Sequence, residues 1–330
     1  MRELELLAPA RNADIGIAAI DCGADAVYMA GPKFGARKDA GNPLEEIGRL
    51  CAYARRYGVR VYMTVNVLLR DGEMEEVHDT MLEAQRLGVS AFIIRDTRIC
   101  GWHDITVPLH ASTQCAIRTP ERALELAQAG CSRVIAEREL SLGGIRALCT
   151  ALEPQGCEVE CFVHGALCVS YSGQCYASQY CFGRSANRGE CAQFCRLRFD
   201  LQDAQGKVLV RGRHLLSLKD MNRLDYLEEM ADAGVCSFKV EGRLKNESYV
   251  RNVVRSYSDA LDSLIARYPE LYRRASFGHV SGGFKPDLAK TFNRGYTELF
   301  IDGKRGRWSS MDAPKSIGEP VGKVAGIKPV

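Results

Sequence analysis

No apolar run in the 330 residues approaches the length that spans a bilayer. The opening M-R-E-L-E-L-L-A-P-A has neither the apolar stretch nor the small-residue cleavage site of a secretory signal. A membrane protein is therefore not expected, and the cytoplasm is the expected compartment, where thiols stay reduced. No C-x-x-C occurs, so the tight knuckles of structural zinc are missing. No G-x-G-x-x-G follows the first apolar run, as a dinucleotide fold would want. Neither G-x-S-x-G nor H-E-x-x-H is present, which removes the serine elbow and the zinc-protease helix. Charge of one sign is also scarce: the net charge is +3, with 46% hydrophobic and 26% charged residues, as in globular proteins.

Cysteine is not scarce. There are fourteen, and seven lie between Cys157 and Cys195. The spacing Cys168-x6-Cys175-x15-Cys191-x3-Cys195 puts four soft thiolates on short, glycine-containing loops. Such donors suit an iron–sulfur cluster or zinc, and irregular spacing suits the larger 4Fe–4S centre. Zinc and unligated core thiols are the alternatives. The small net charge is unevenly divided. Residues 1–165 hold 18 Lys+Arg against 23 Asp+Glu, and residues 166–330 hold 26 against 18. The basic half is the cysteine half, which suits a polyanionic partner, although a solvated mixed surface would read the same.

The first 165 residues repeat one unit: an amphipathic segment, a glycine, then a short β-rich run. Gly23, Gly58, Gly88 and Gly130 stand where a helix ends in a left-handed cap. Eight strands are predicted: Glu5–Ala8, Ala26–Met29, Arg60–Thr64, Ala91–Arg95, Pro108–Ser112, Arg133–Ala136, Glu158–Phe162 and Ser237–Val240. Most are separated by helix-length segments, with only Asp96–Val107 too short. Unbroken apolar runs alternating with helices predict an α/β fold, a TIM-type (β/α) barrel. A doubly wound open sheet is the alternative. The expected picture is an apolar core under a polar mouth, because Asn66, Arg95, Asp96, Gln114, Glu137, His164, Glu241 and Arg243 follow strand ends.

The link between the seventh and eighth strands is too long for an ordinary barrel loop, so 163–235 reads as a functional insertion. Within it, Phe199–Val210 predicts a hairpin and Met221–Ala233 a helix. Cys236 opens the eighth strand and is a reserve ligand or a small buried hydrophobe. A helix is expected over Glu247–Arg267. The barrel with its insertion is assigned to 1–275. Residues 276–330 read as a linker and the start of a small β-rich domain that continues in a longer parent chain.

The run H-G-A-L-C-V-S-Y-S-G-Q-C (His164–Cys175), with N-R-G-E-C-A-Q-F-C-R (Asn187–Arg196), resembles the collagenase-like peptidases of unassigned catalytic type, peptidase family U32. E-L-L-A-P-A (Glu5–Ala10), K-V-E-G-R-L-K (Lys239–Lys245) and F-N-R-G-Y-T (Phe292–Thr297) extend the resemblance over nearly the whole chain. It implies that Cys168, Cys175, Cys191 and Cys195 ligate a 4Fe–4S cluster. It also implies oxygen-independent 5-hydroxylation of a pyrimidine in ribosomal or transfer RNA, with prephenate as the oxygen donor. The C-terminal blocks F-N-R-G-Y-T and P-K-S-I-G-E-P-V-G-K-V look closest to the ribosomal RNA branch. On that reading His164, Glu241 and Arg243 are the catalytic candidates, and Asn66, Lys239 and Lys245 bind a small dicarboxylate. Tyr171, Tyr176, Tyr180 and Phe182 would stack on an extruded base. The family name implies the alternative, peptide hydrolysis, with His164, Ser172 and Glu160 or Glu241 as a triad. A scaffold carrying a purely structural cluster is a third possibility.

Overall fold

The computed structural model describes residues 1–37, 40–171, 174–317 and 322–326. Strands β1 (Arg2–Pro9), β2 (Ala26–Ala30), β3 (Arg60–Val65), β4 (Ala91–Ile94), β5 (Leu109–Ala111), β6 (Arg133–Ile135) and β7 (Glu158–Ala166) follow one another in the sheet, each parallel to the next. Helices α1 (Ala13–Asp21), α2 (Leu44–Ala54), α3 (Met74–Arg86), α4 (Pro120–Gln128) and α5 (Leu142–Leu152) supply the crossovers. A 3₁₀ turn, Thr97–Gly101, replaces a helix between β4 and β5. Next come α6 (Ala177–Phe182), the antiparallel pair β8 (Phe199–Gln202) and β9 (Val208–Arg213), β10 (Asp220–Asn222), and α7 (Leu227–Ala233). The eighth barrel strand, β11 (Ser237–Val240), pairs in parallel with both β7 and β1 and closes the cylinder. It is followed by α8 (Glu247–Arg267), β12 (Tyr272–Arg274) beside β1, and β13 (Tyr296–Thr297) beside β10. Among the described residues no helix is long and apolar enough to cross a membrane.

The local reasons are those of the sequence. The four capping glycines all take the left-handed backbone, with φ between +66° and +112°. Asn12, Thr119, Ser141 and Asn246 accept backbone N–H bonds at the starts of α1, α4, α5 and α8. Outward side chains of the strands (Leu4 and Leu6, Val27 and Met29, Val61 and Met63, Phe92 and Ile94) pack under the helices in one continuous core.

Two expectations change, and a third falls partly outside the described residues. The segment Met221–Ala233 is helical only from Leu227, because Asp220–Asn222 forms β10, antiparallel to the end of β7. Asp220 is fixed there by Arg294, whose Nη1 donates at 3.0 Å. Of the expected β-rich C-terminal part, 318–321 and 327–330 lie outside the described residues, while the described residues of 276–330 include β13 and an isolated bridge, Leu218 to Ser309. The second change is the barrel interior, which is not simply apolar. Leu7, Tyr28, Tyr62, Ile93, Ile135 and Phe162 line it and Leu167, Leu218, Met221 and Leu299 close over them, but charged groups share the space.

Those charges are mutually paired, as burial requires. Arg133 donates to Glu5 at 2.6 Å, to Glu158 at 2.6 Å and to Glu160 at 3.3 Å. Lys239 donates to Glu160 at 2.7 Å, and Ser237 to Glu5 at 2.8 Å. Burial alone would raise the Glu5 carboxyl, but the Arg133 charge and hydrogen bonds from Arg133, Tyr62 and Ser237 hold it at about 2. Because the folded value lies below the ordinary 4.5, Glu5 adds stability that is complete above that pH and is lost as pH falls toward 2. Glu5→Gln should therefore flatten the acid limb of the unfolding free energy measured between about pH 5 and pH 2.

Candidate functional site

The insertion after β7 folds across the carboxyl ends of the strands and is tied down on two sides. Arg188 ion-pairs with Glu73 and bonds the Leu68 carbonyl, while the Leu68 N–H donates to the Asn187 carbonyl at 3.3 Å. On the other side Arg196 donates to the carbonyls of Leu167 (2.6 Å) and Leu218 (3.1 Å) and to the Ser217 hydroxyl. His214 Nδ1 donates back to the Arg196 carbonyl at 2.8 Å. The loops carrying the thiols are therefore positioned by arginines rather than by regular structure.

Cys168 is exposed, and Cys175, Cys191 and Cys195 are partly buried. Burial raises the Cys195 thiol, Arg196 opposes this, and Cys168, Cys191 and Cys175 each raise it further. The Cys195 sulfur thus lies within electrostatic reach of Cys168, Cys175 and Cys191, and the Arg196 guanidinium within reach of Cys195 and Cys168. Among the described residues no three His, Cys, Asp or Glu side chains are drawn close enough to clasp a single metal ion. Four thiolates are the donor type an iron–sulfur cluster uses, and these four are the residues of the insertion that could hold one. Cys236 lies elsewhere, buried at the start of β11, where its thiol donates to the Val159 carbonyl at 3.4 Å.

Beneath the insertion, Arg243 reaches from the end of β11 to Thr64 on β3 (3.1 Å), and Asn66 bridges the Ala36 N–H and the Ser112 hydroxyl. Arg95 Nη1, Gln114 Oε1 and Arg243 Nε are buried without a hydrogen-bond partner among the described residues. Burial would raise the Glu241 carboxyl, but Arg37, Arg138 and Arg243 hold it below the ordinary value, and Arg138 Nη2 donates to it at 2.9 Å. The Lys239 ammonium is committed to Glu160. Lys245 stands apart against the Phe292 ring, with no ion pair among the described residues, and burial lowers it to about 8.

His164 is not at this mouth. The register of β7 with β11 shifts between Lys239 and Val240, which pairs His164 with the outward-facing Val240. Its ring sits among Tyr249, Tyr257 and Tyr296, 3.4 Å from the Tyr257 hydroxyl, and burial with Lys245 nearby lowers it to about 3. Ser172 lies outside the described residues. Arg138 and Arg196 were not singled out from sequence. Their only signal was position, one just past β6 and one directly after the last clustered cysteine.

The aromatics named from sequence divide. Tyr180 is 92% exposed and Tyr176 63%, whereas Tyr171 lies under the Arg118 guanidinium at 3.8 Å and Phe182 packs edge-on against Phe194.

A protein-family model described as peptidase family U32 matches residues 11–310. The chain is 46% identical over 324 residues to a 23S rRNA 5-hydroxycytidine C2501 synthase of Escherichia coli (strain K12), a match covering 98% of this chain. It spans about half, 49%, of that relative. It is 32% identical to tRNA hydroxylation protein P1 of Bacillus subtilis (strain 168), over 93% of this chain and 73% of that one. A collagenase of Porphyromonas gingivalis (strain ATCC BAA-308 / W83) is 31% identical, over 94% and 76% respectively. Among solved structures, the U32 peptidase Mk0906 aligns with a TM-score of 0.47 at 13% identity, covering 73% of this chain and 93% of that one.

Proposed function

The chain belongs to peptidase family U32, and from that premise we propose that it takes part in oxygen-independent, iron–sulfur-dependent 5-hydroxylation of a pyrimidine in ribosomal or transfer RNA. The observation that supports this reading most is that Cys168, Cys175 and Cys191 lie within electrostatic reach of Cys195, with Arg196 within reach of Cys195 and Cys168. These four would hold a 4Fe–4S cluster, which supplies one-electron redox chemistry when bound. The protein's own part is to place RNA and a small oxygen donor next to that centre.

For the RNA, exposed Tyr176 and Tyr180 offer stacking faces, and the exposed Arg184, Arg198, Arg211 and Arg213 of the same insertion offer charge to phosphates. For the donor, a small dicarboxylate such as prephenate is supported by the unpartnered Arg95 and Arg243 atoms, since guanidinium recognises carboxylate in a planar, two-point fashion. Asn66, bound to the backbone of Ala36, holds that side of the mouth in shape. Glu241, kept ionised, stands near Arg138 and Arg243 as a candidate base.

Peptide hydrolysis is the second reading, supported by the name of the Porphyromonas relative. Against it, the bonds described for the His164 ring involve no carboxylate, and its neighbours are tyrosines.

The deciding experiment is nucleoside analysis of ribosomal and transfer RNA from a strain lacking the gene. Loss of one 5-hydroxypyrimidine, restored by the intact gene, supports the proposal, and an unchanged profile rejects it. Tyr180→Ala should weaken RNA binding by about 1–3 kcal/mol, the usual worth of one stacked base. Iron content should stay the same, so the two measurements separate RNA contact from cluster binding.

A further inference from the structure

Outside the insertion, two thiols face each other. Cys100 Sγ and Cys131 Sγ are 4.0 Å apart, although 31 residues separate them in the chain. Cys100 lies on the 3₁₀ turn Thr97–Gly101, in the β4–β5 connection that lacks a helix. Cys131 follows the left-handed Gly130 at the end of α4 and leads into β6. Gly130, whose left-handed backbone favours glycine, lies in van der Waals range of the Cys100 Cβ, at 3.6 Å from where its own Cβ would stand.

Neighbouring thiols are otherwise engaged. Cys157 donates to the Cys131 carbonyl at 3.4 Å, and Cys115 to the Arg95 carbonyl at 3.4 Å. Cys131 is 3% exposed, whereas Cys100 is partly open to solvent, so an oxidant meets Cys100 first. Contact with the Cys131 thiol also holds the Cys100 thiol below its ordinary value, against burial, in keeping with Cys100 as the attacking thiolate.

We propose that Cys100 and Cys131 are a reversible redox-modification site, closing to an intramolecular disulfide in the presence of a small-molecule disulfide such as glutathione disulfide. The Cys100 thiolate attacks one sulfur of glutathione disulfide and expels one glutathione thiolate. The Cys131 sulfur then displaces the second glutathione from Cys100. One S–S bond is broken and one is formed, and the two electrons and two protons given up by the cysteines leave in two molecules of glutathione. A disulfide needs sulfurs about 2.05 Å apart, so the pair must close by about 2 Å. The product pins the β4–β5 connection to the foot of β6 and does not involve the four thiols of the insertion.

The full chain, purified anaerobically, is incubated with glutathione disulfide, blocked with N-ethylmaleimide, digested and mapped by mass spectrometry. The expected result is loss of two alkylatable thiols, recovered as a Cys100–Cys131 linked peptide that dithiothreitol reverses. Cys131→Ser should arrest Cys100 as its mixed disulfide with glutathione. Cys157→Ser should leave the link unchanged, and Cys100→Ser should leave the buried Cys131 reduced. The proposal is overturned if Cys100 and Cys131 are both recovered as maleimide adducts, or if Cys131 links to Cys115 or Cys157 instead.

Discussion

Replacing Cys175 or Cys191 by alanine is expected to reduce both bound iron and RNA hydroxylation to background. On the proposed reading each supplies one of the four cluster sulfurs, and both lie within electrostatic reach of Cys195, so a four-thiolate centre has no spare donor there. Cys236, the reserve candidate in the sequence, is engaged with the Val159 carbonyl within the barrel wall and is not placed to substitute. Cys181→Ala is the matched control, because that thiol is exposed in the same insertion but is not one of the four. It should keep iron and activity. The barrel should survive all three changes, since its core is built from strand and helix residues outside the insertion loops, and the thermal unfolding profile checks this. A Cys175→Ala or Cys191→Ala protein with full hydroxylation would remove the cluster from the account.

Replacing Glu160 by leucine is expected to destabilise the fold by about 3–5 kcal/mol, the usual result of removing one partner from a buried ion pair. Glu160 is fully buried and accepts from Lys239 at 2.7 Å, so its loss leaves an ammonium group sealed inside the barrel without a counter-charge. Arg133 is less affected, because Glu5 and Glu158 still hold it. The double change Glu160→Leu with Lys239→Met should recover most of the loss, since neither charge is then stranded. Urea unfolding of the wild type and the two variants measures this. Equal destabilisation in single and double variants would mean that the cost comes from packing and not from the unpaired charge.

The barrel was legible because its signals are local. Short apolar runs after glycine caps mark β2, β3, β4 and β6, and the 21-residue α8 shows a clear start at Asn246. The insertion was legible from its length and its cysteines. What stayed hidden depends on contacts distant in sequence. Glu5, Arg133, Glu160 and Lys239 each read as a single polar interruption of a strand, and only closure of the cylinder puts them within bonding distance. The three residues of β10 carry no periodicity, and their partners are the end of β7 and a segment near Tyr296. The placement of His164 follows from a single register shift, and one residue of slip turns a side chain to the opposite face of a sheet. No pattern in H-G-A-L-C announces that shift. The commitment of Lys239 to Glu160 likewise could not be read from K-V-E-G-R-L-K, which presents three cations as equals.

The central claim is that Cys168, Cys175, Cys191 and Cys195 share one iron–sulfur centre. It is tested most directly by quantifying iron, acid-labile sulfide and zinc in the anaerobically purified chain, with a Mössbauer spectrum of the iron-57-enriched protein. The account predicts about four irons and about four sulfides per chain and a spectrum characteristic of a 4Fe–4S cluster. One zinc per chain with no sulfide, or a metal-free chain that still hydroxylates RNA, would contradict it.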